Sequence, residues 1–116
     1  MIKSDIIHPD LLQALALCGH KANILIADAN YSILTNSAAQ ARIVYLNFSP
    51  GLIGSVTILQ KILGYISVEK ATLMASPPEF DNTIAREYRR VLTQATELEY
   101  MSATPFTRRP NRRIRC

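Results

Sequence analysis

His20 and Asp28 are the residues of this chain whose types and positions best suit proton-transfer chemistry. His20 follows Gly19, and Asp28 opens the segment Asp28-Ala29-Asn30-Tyr31. An imidazole can both accept and donate a proton near neutral pH, which general acid–base catalysis requires. A carboxylate just past the end of a buried strand lies at the edge where open α/β sheets usually bind ligands. The two residues are therefore candidates for a functional site.

Each of these residues also has a simpler structural interpretation. A histidine after a helix-terminating glycine is often a surface or capping residue. Aspartate and asparagine after a strand often serve turn geometry, which applies to Asp28 and Asn30. The spacing Cys18-x-His20 is not typical of a metal site, so no metal is expected there.

A helix is predicted to precede His20. Pro9 suits the first helical position, because its missing N–H would be unpaired there in any case. Gly19 suits the position just after the helix. Apolar residues recur between them at helical spacing: Leu11, Leu12, Leu15 and Cys18.

Short runs of apolar residues predict the remaining strands, and apolar residues at helical spacing predict the remaining helices. Strands are expected at Ile24–Ala27, Ile43–Leu46, Ala71–Ala75 and Leu98–Met101. Helices are expected from Ser49-Pro50-Gly51 to Leu63 and from Asp81 to Ala95, with a loop over residues 31–40. This order predicts an α/β fold, specifically a three-layer α/β/α domain with a short, mostly parallel sheet.

The charge of the chain is concentrated at its C-terminal end. Residues 1–105 contain eight basic and nine acidic residues, whereas five arginines lie among residues 108–115. The main body is therefore close to neutral, and its charge gives no reason to expect nucleic-acid binding.

Two cysteines, Cys18 and Cys116, do not form a disulfide framework. No signal peptide is recognised, and no apolar run approaches the roughly 20 residues that a membrane span needs. A reduced, cytoplasmic protein without a membrane association is expected.

Three segments together resemble the D-ribose pyranase / L-fucose mutarotase family. The main one is Gly19-His20, followed after an apolar strand by Asp28-Ala29-Asn30-Tyr31. In addition, residues 8–12 resemble the opening helix of the family, and residues 45–52 resemble a strand that enters its second helix. The resemblance extends over roughly residues 5–106.

Members of this family interconvert ring forms or anomers of free sugars, such as ribose and fucose. The resemblance implies that His20 is the acid/base and that Asp28 binds sugar hydroxyls or fixes the imidazole tautomer. Asn30 and Tyr31 are further candidates for sugar binding. It implies a free monosaccharide as the ligand, no metal and no organic cofactor.

The resemblance also implies a homo-oligomer with sites between subunits. If residues 23–27 form one straight strand, His20 and Asp28 lie at its opposite ends, since eight extended residues span roughly 26 Å. They can meet only if the chain curls back or if two subunits contribute to one site. We expect the second arrangement.

The C-terminal segment departs from the family pattern. Members usually carry a last strand with a Tyr and an Asn that bind sugar, but here Phe106 is followed by Thr107 and an Arg-rich end. The expectation is a domain over residues 1–106 that lacks the terminal strand, and a disordered basic tail over residues 107–116. An altered reading frame, a solvated tail and a nucleic-acid-binding arm remain alternatives for this tail. No aromatic residue is interleaved with the arginines, so nucleic acid is not the expected partner.

Three functions therefore remain open from the sequence. The first is a mutarotase or pyranase whose activity is impaired by the altered end. The second is a non-catalytic sugar-binding or ring-forming subunit. The third is a nucleic-acid binder that acts through the Arg-rich tail.

Overall fold

The computed structural model describes residues 1–74, 83–92, 96–101 and 113–115. The helices and strands are, in chain order, α1 (Pro9–Ala16), β1 (Asn23–Leu25), α2 (Ile33–Asn36), α3 (Ser55–Leu63), β2 (Lys70–Met74), α4 (Thr83–Val91), β3 (Glu97–Met101) and β4 (Arg113–Arg115). None of the helices in these ranges is long and apolar enough to cross a lipid bilayer.

Helix α1 forms where the sequence predicts it. His8 is its N-cap, and the Nδ1 atom of His8 accepts a hydrogen bond of 3.2 Å from the backbone N–H of Leu11. Pro9 occupies the first turn, where it removes no hydrogen bond. The helix ends at Ala16, before the predicted end at Cys18, with Leu17 as the C-cap.

The four strands form one sheet in the order β1-β4-β2-β3. Strands β2 and β3 are parallel, and β4 is antiparallel to both β1 and β2. Strands β1, β2 and β3 therefore run in one direction, and β4 runs against them. The predicted α/β class with a short parallel sheet is confirmed.

Strand β4 corrects the prediction that the sheet lacks a C-terminal strand. Arg113–Arg115 lies in the segment that the sequence analysis assigned to a disordered tail, yet its backbone pairs with a strand on each side. Backbone N–H and C=O groups supply this pairing whatever the side chains are, so the Arg-rich composition did not reveal it. The predicted domain boundary at Phe106 and Thr107 lies outside the described residues.

Three further predictions differ from the structure between residues 31 and 63. The predicted strand Ile43–Leu46 has no strand assignment, and α2 lies within the predicted loop. Helix α3 begins at Ser55 and not at Ser49-Pro50, because Gly51 adopts a φ of +73°, which is incompatible with a right-handed helix. The residues before it form a turn, in which the Leu52 N–H donates to the Ser49 carbonyl at 3.1 Å.

The other predicted elements are found close to their expected positions. Strand β1 covers Asn23–Leu25, β2 begins at Lys70 and β3 begins at Glu97. The predicted start of the last helix at Asp81 and its predicted end at Ala95 lie outside the described residues.

The core lies between the sheet and the two longer helices behind it. Leu59 and Ile62 of α3 are almost completely buried, at 1% and 2% exposure. The other buried apolar residues are Ile6, Leu15, Ile26, Ala71, Leu73, Tyr88 and Leu92. Helices α3 and α4 contact each other, and both contribute residues to this core.

The N-terminal segment is fixed to the end of α3 through Tyr65. The Tyr65 hydroxyl hydrogen-bonds the Ser4 hydroxyl and accepts a hydrogen bond of 3.0 Å from the Ile6 N–H. The bond with Ser4, with a smaller contribution from Ile6, lowers the pKa of Tyr65, because these groups stabilise the phenolate. This contact places Ile6 in the core.

Candidate functional site

His20 lies in a tight turn between α1 and β1. The Ala22 N–H donates to the Gly19 carbonyl at 3.0 Å, which closes the turn around His20 and Lys21. Lys21 has a φ of +65°, in the left-handed region that few non-glycine residues adopt. The turn places His20 at the edge of the sheet where β1 begins.

The His20 ring faces an acidic side chain that the sequence analysis did not identify. Its Nδ1 atom lies 3.8 Å from Oε1 of Glu69, and the two side chains are 73% and 54% exposed. Glu69 directly precedes β2. Because β1 and β2 run in the same direction, residues that precede these strands lie at the same edge of the sheet.

The sequence carried only a weak signal for Glu69. It is an acidic residue two positions before the predicted strand at Ala71, where solvated carboxylates are common. The signal becomes specific only when the shared direction of β1 and β2 is known.

Asp28 lies past the other end of β1, where the chain turns toward α2. Its Oδ1 atom accepts a hydrogen bond of 2.8 Å from the Asn30 N–H, and its carbonyl accepts one of 3.2 Å from the Tyr31 N–H. These bonds are typical of an Asx-turn. An ionised carboxylate has about four acceptor sites, so this turn leaves acceptor capacity for a ligand.

Asn30 and Tyr31 complete this turn in different ways. Asn30 is exposed, whereas the Tyr31 hydroxyl oxygen is buried. In the described part of the chain, Tyr31 carries the one buried side-chain oxygen or nitrogen without a hydrogen-bond partner. Leaving such a group unpaired costs about 1–3 kcal/mol, so a partner for this hydroxyl would be stabilising.

The structure places His20 and Asp28 at opposite ends of β1. Asp28, Asn30 and Tyr31 lie together in one turn, and His20 lies with Glu69 at the other edge. This is the arrangement that the length of the strand predicts. Neither edge alone combines the predicted acid/base with the predicted sugar-binding carboxylate.

Part of the Arg-rich segment lies within the sheet. Residues 113–115 are paired with β1 on one side and with β2 on the other. A flexible arm that wraps nucleic acid would have to be free of such pairing. The position of β4 therefore counts against this part of the segment as a nucleic-acid-binding arm.

The structure can also be compared with known proteins. Residues 1–115 match the model of the RbsD / FucU transport protein family. A solved structure of Bacillus subtilis RbsD complexed with D-ribose has the same fold, with a TM-score of 0.79 and 21% sequence identity; the match covers 100% of this chain and 97% of that one. Comparison with curated proteins finds no match. The family match includes β4 as well as the segments around His20 and Asp28, and the chain belongs to the RbsD / FucU transport protein family.

Proposed function

We propose that this protein binds a free monosaccharide and interconverts its ring forms or anomers in the cytoplasm. The observation that carries the proposal is that the His20 imidazole is exposed on a turn. The chain around it matches the family over residues 1–115. The ribose bound to the structurally similar Bacillus subtilis protein supports a pentose among the candidate ligands.

The reaction needs a group that can both take and return a proton. His20 removes the proton from the anomeric hydroxyl, and the bond between the anomeric carbon and the ring oxygen breaks to give the open aldehyde. His20 returns this proton, directly or through water, to the ring oxygen as the bond breaks, so no proton is gained or lost overall. Reclosure on either face, or by another hydroxyl, reverses these transfers and needs no metal or organic cofactor. An imidazole suits both directions at neutral pH.

Asp28, Asn30 and Tyr31 bind the sugar in this proposal. The acceptor capacity that the turn leaves on the Asp28 carboxylate suits two neighbouring sugar hydroxyls. The Tyr31 hydroxyl is buried and without a hydrogen-bond partner in the described part of the chain, so it would bind the sugar only after its side chain rotates. The exposed Asn30 amide offers both a donor and an acceptor.

The site forms between subunits of a homo-oligomer in this proposal, with His20 of one subunit next to Asp28 of another. Support comes from their positions at the two ends of β1. The subunit also exposes large apolar side chains between α2 and α3, including Tyr45, Phe48 and Leu52 at 56%, 86% and 60%. A second subunit would cover these side chains if they form one contiguous patch, as apolar interaction surfaces do.

The test is NMR magnetisation exchange between the anomeric signals of ribose, fucose and other free sugars, with the full-length protein. His20→Ala should lower the accelerated exchange by about 10²–10⁴-fold, the usual contribution of a general acid or base. His8→Asn is the matched control, because it replaces the only other histidine with a residue that still caps α1. Exchange that survives in His20→Ala, or that is lost equally in both variants, would contradict the assignment.

A second candidate is a non-catalytic sugar-binding or ring-forming subunit. The composition of β4 favours it, because Arg113-Ile114-Arg115 contains neither the Tyr nor the Asn that family resemblance implies for sugar binding. Saturation-transfer NMR separates the two candidates. Ribose binding without accelerated exchange in the wild-type protein would select the binding subunit.

A further inference from the structure

We propose that Glu69 is a positioning residue for His20, one that holds the neutral imidazole with its proton on Nδ1. Nε2 then carries the lone pair that accepts the proton from the sugar. The catalytic consequence rests on the proposed function, whereas the position of the proton on the ring can be measured without any sugar.

The geometry of the two side chains supports this role. The 3.8 Å between His20 Nδ1 and Glu69 Oε1 is beyond hydrogen-bond length, but a small rotation of either exposed side chain reaches the 2.7–3.2 Å of an N–H···O bond. An ionised carboxylate only accepts hydrogen bonds, so the ring nitrogen facing it must carry the proton. The nitrogen that carries the proton in turn fixes which nitrogen can act as a base.

The backbone that carries Glu69 is well anchored. The Glu69 carbonyl accepts a hydrogen bond of 3.0 Å from the Glu97 N–H, and the preceding Val68 carbonyl accepts one of 3.1 Å from the Thr96 hydroxyl. Thr96 itself is buried. On the other side, the closed turn from Gly19 to Ala22 holds His20. Both side chains therefore project from fixed backbone, which favours a reproducible geometry.

Two lysines lie close in the chain to Glu69 and His20. Lys70, the next residue, forms an ion pair of 2.8 Å with Glu99, on the neighbouring strand β3. Lys21 lies in the same turn as His20.

When the Nε2 atom of His20 takes up a proton, the Glu69 carboxylate faces the resulting imidazolium. An exposed pair of this kind contributes little to folding, so its effect should be on the ring and not on stability.

His8 provides an internal reference for the measurement. Its Nδ1 accepts a hydrogen bond from the Leu11 N–H, so its proton must be on Nε2 when the ring is neutral. The structure therefore assigns opposite tautomers to the two histidines of the chain. This contrast can be seen in a single spectrum.

The test is a long-range ¹H–¹⁵N correlation spectrum of the full-length protein, labelled at histidine, at a pH where both rings are neutral. His20 should show mainly the Nδ1–H form and His8 the Nε2–H form, with His8→Asn assigning the signals. Glu69→Gln should shift His20 toward the Nε2–H form. Glu69→Asp, which keeps the carboxylate, should retain part of the Nδ1–H form. Glu97→Gln, which removes a carboxylate at the same edge of the sheet, should leave the tautomer of His20 unchanged.

Sugar exchange supplies the second readout. Glu69→Gln should lower kcat by less than the roughly 10²–10⁴-fold loss expected for His20→Ala, with little change in KM, because only the fraction of His20 in the Nε2–H form loses its base. A His20 tautomer that is the same in wild type and Glu69→Gln would overturn the proposal, whatever the activity. If the wild-type protein does not accelerate the exchange of any sugar, the proposed function is wrong. The tautomer shift in Glu69→Gln then decides the role of Glu69 by itself.

Discussion

Ile24 of β1 lies directly opposite Ile114 of β4 in antiparallel register. On its other side, the same β4 residue is paired with Ala71 of β2. One short strand from the C-terminal segment therefore joins the strand between His20 and Asp28 to the strand that follows Glu69. The geometry of the candidate site depends on this link.

Replacing Ile114 with proline should weaken this part of the sheet. Proline cannot donate to the ladder, and β4 is an internal strand, where this loss is poorly tolerated. We expect Ile114→Pro to lower the free energy of unfolding by about 1–3 kcal/mol, the cost of leaving buried backbone groups unpaired. Urea unfolding measures the loss, and hydrogen exchange should show less protection in β1 and β2.

Ile114→Val is the control, because it keeps the backbone N–H. If the proline and valine variants have the same stability and the same exchange protection, β4 does not join β1 to β2 in solution.

Leu59→Ala should destabilise the fold strongly. Leu59 is 1% exposed in the centre of the core, and removing a buried leucine side chain costs about 2–5 kcal/mol. Leu17→Ala makes the same chemical change at a position that is 69% exposed, so its effect should be within about 0.5 kcal/mol. Urea unfolding of both variants measures the difference. Equal losses in the free energy of unfolding would mean that Leu59 does not lie in the core.

The pair Lys70–Glu99 should make stability depend on pH. The hydrogen bond and charge of Lys70 lower the pKa of Glu99 below its ordinary value of 4.5. Because the pKa is lower in the folded protein, the stabilisation is fully present above pH 4.5 and is lost as the pH falls through the lowered pKa. The stability difference between wild type and Glu99→Gln should therefore shrink below that pH.

The pKa can also be followed directly by NMR of the Glu99 carboxyl carbon. Lys70→Gln should raise the pKa of Glu99 toward its ordinary value. Lys61→Gln is the control, because Lys61 pairs with Asp5 elsewhere on the surface. A Glu99 titration that is unchanged in Lys70→Gln would show that this ion pair does not persist in solution.

Mixing inactive variants should restore activity if the sugar site lies between subunits. An interface that joins His20 from an Asp28→Asn subunit to Asp28 from a His20→Ala subunit contains both required side chains. We expect each variant alone to be inactive and the co-refolded mixture to recover part of the exchange rate. NMR magnetisation exchange provides the measurement.

A mixture that stays inactive, although mass spectrometry shows mixed oligomers, would place both residues of each site in one subunit. Refolding a single variant alone under the same conditions controls for activity gained through the refolding procedure.

Local patterns in the sequence determined much of the fold and the family. Pro9 marks the start of α1, because proline suits a first helical turn whatever surrounds it, whereas the helix ends at Ala16, before Gly19. The apolar runs near residues 24, 71 and 98 form β1, β2 and β3 for a similarly local reason. The motif Gly19-His20 with Asp28-Ala29-Asn30-Tyr31, together with residues 8–12 and 45–52, predicted the family, which the match over residues 1–115 confirms.

Long-range contacts decided what the sequence did not show. The apolar run Ile43–Leu46 resembles a strand but has no strand partner among the residues that the structure describes, whereas Arg113–Arg115 looks like a tail and pairs on both sides. A strand forms only when another strand pairs with it. The residues of β4 lie more than forty positions along the chain from their partners in β2 and more than eighty from their partners in β1. The meeting of His20 and Glu69 has the same origin, because it requires β1 and β2 to run in one direction. No local pattern encodes that direction, and only the tertiary structure decides it.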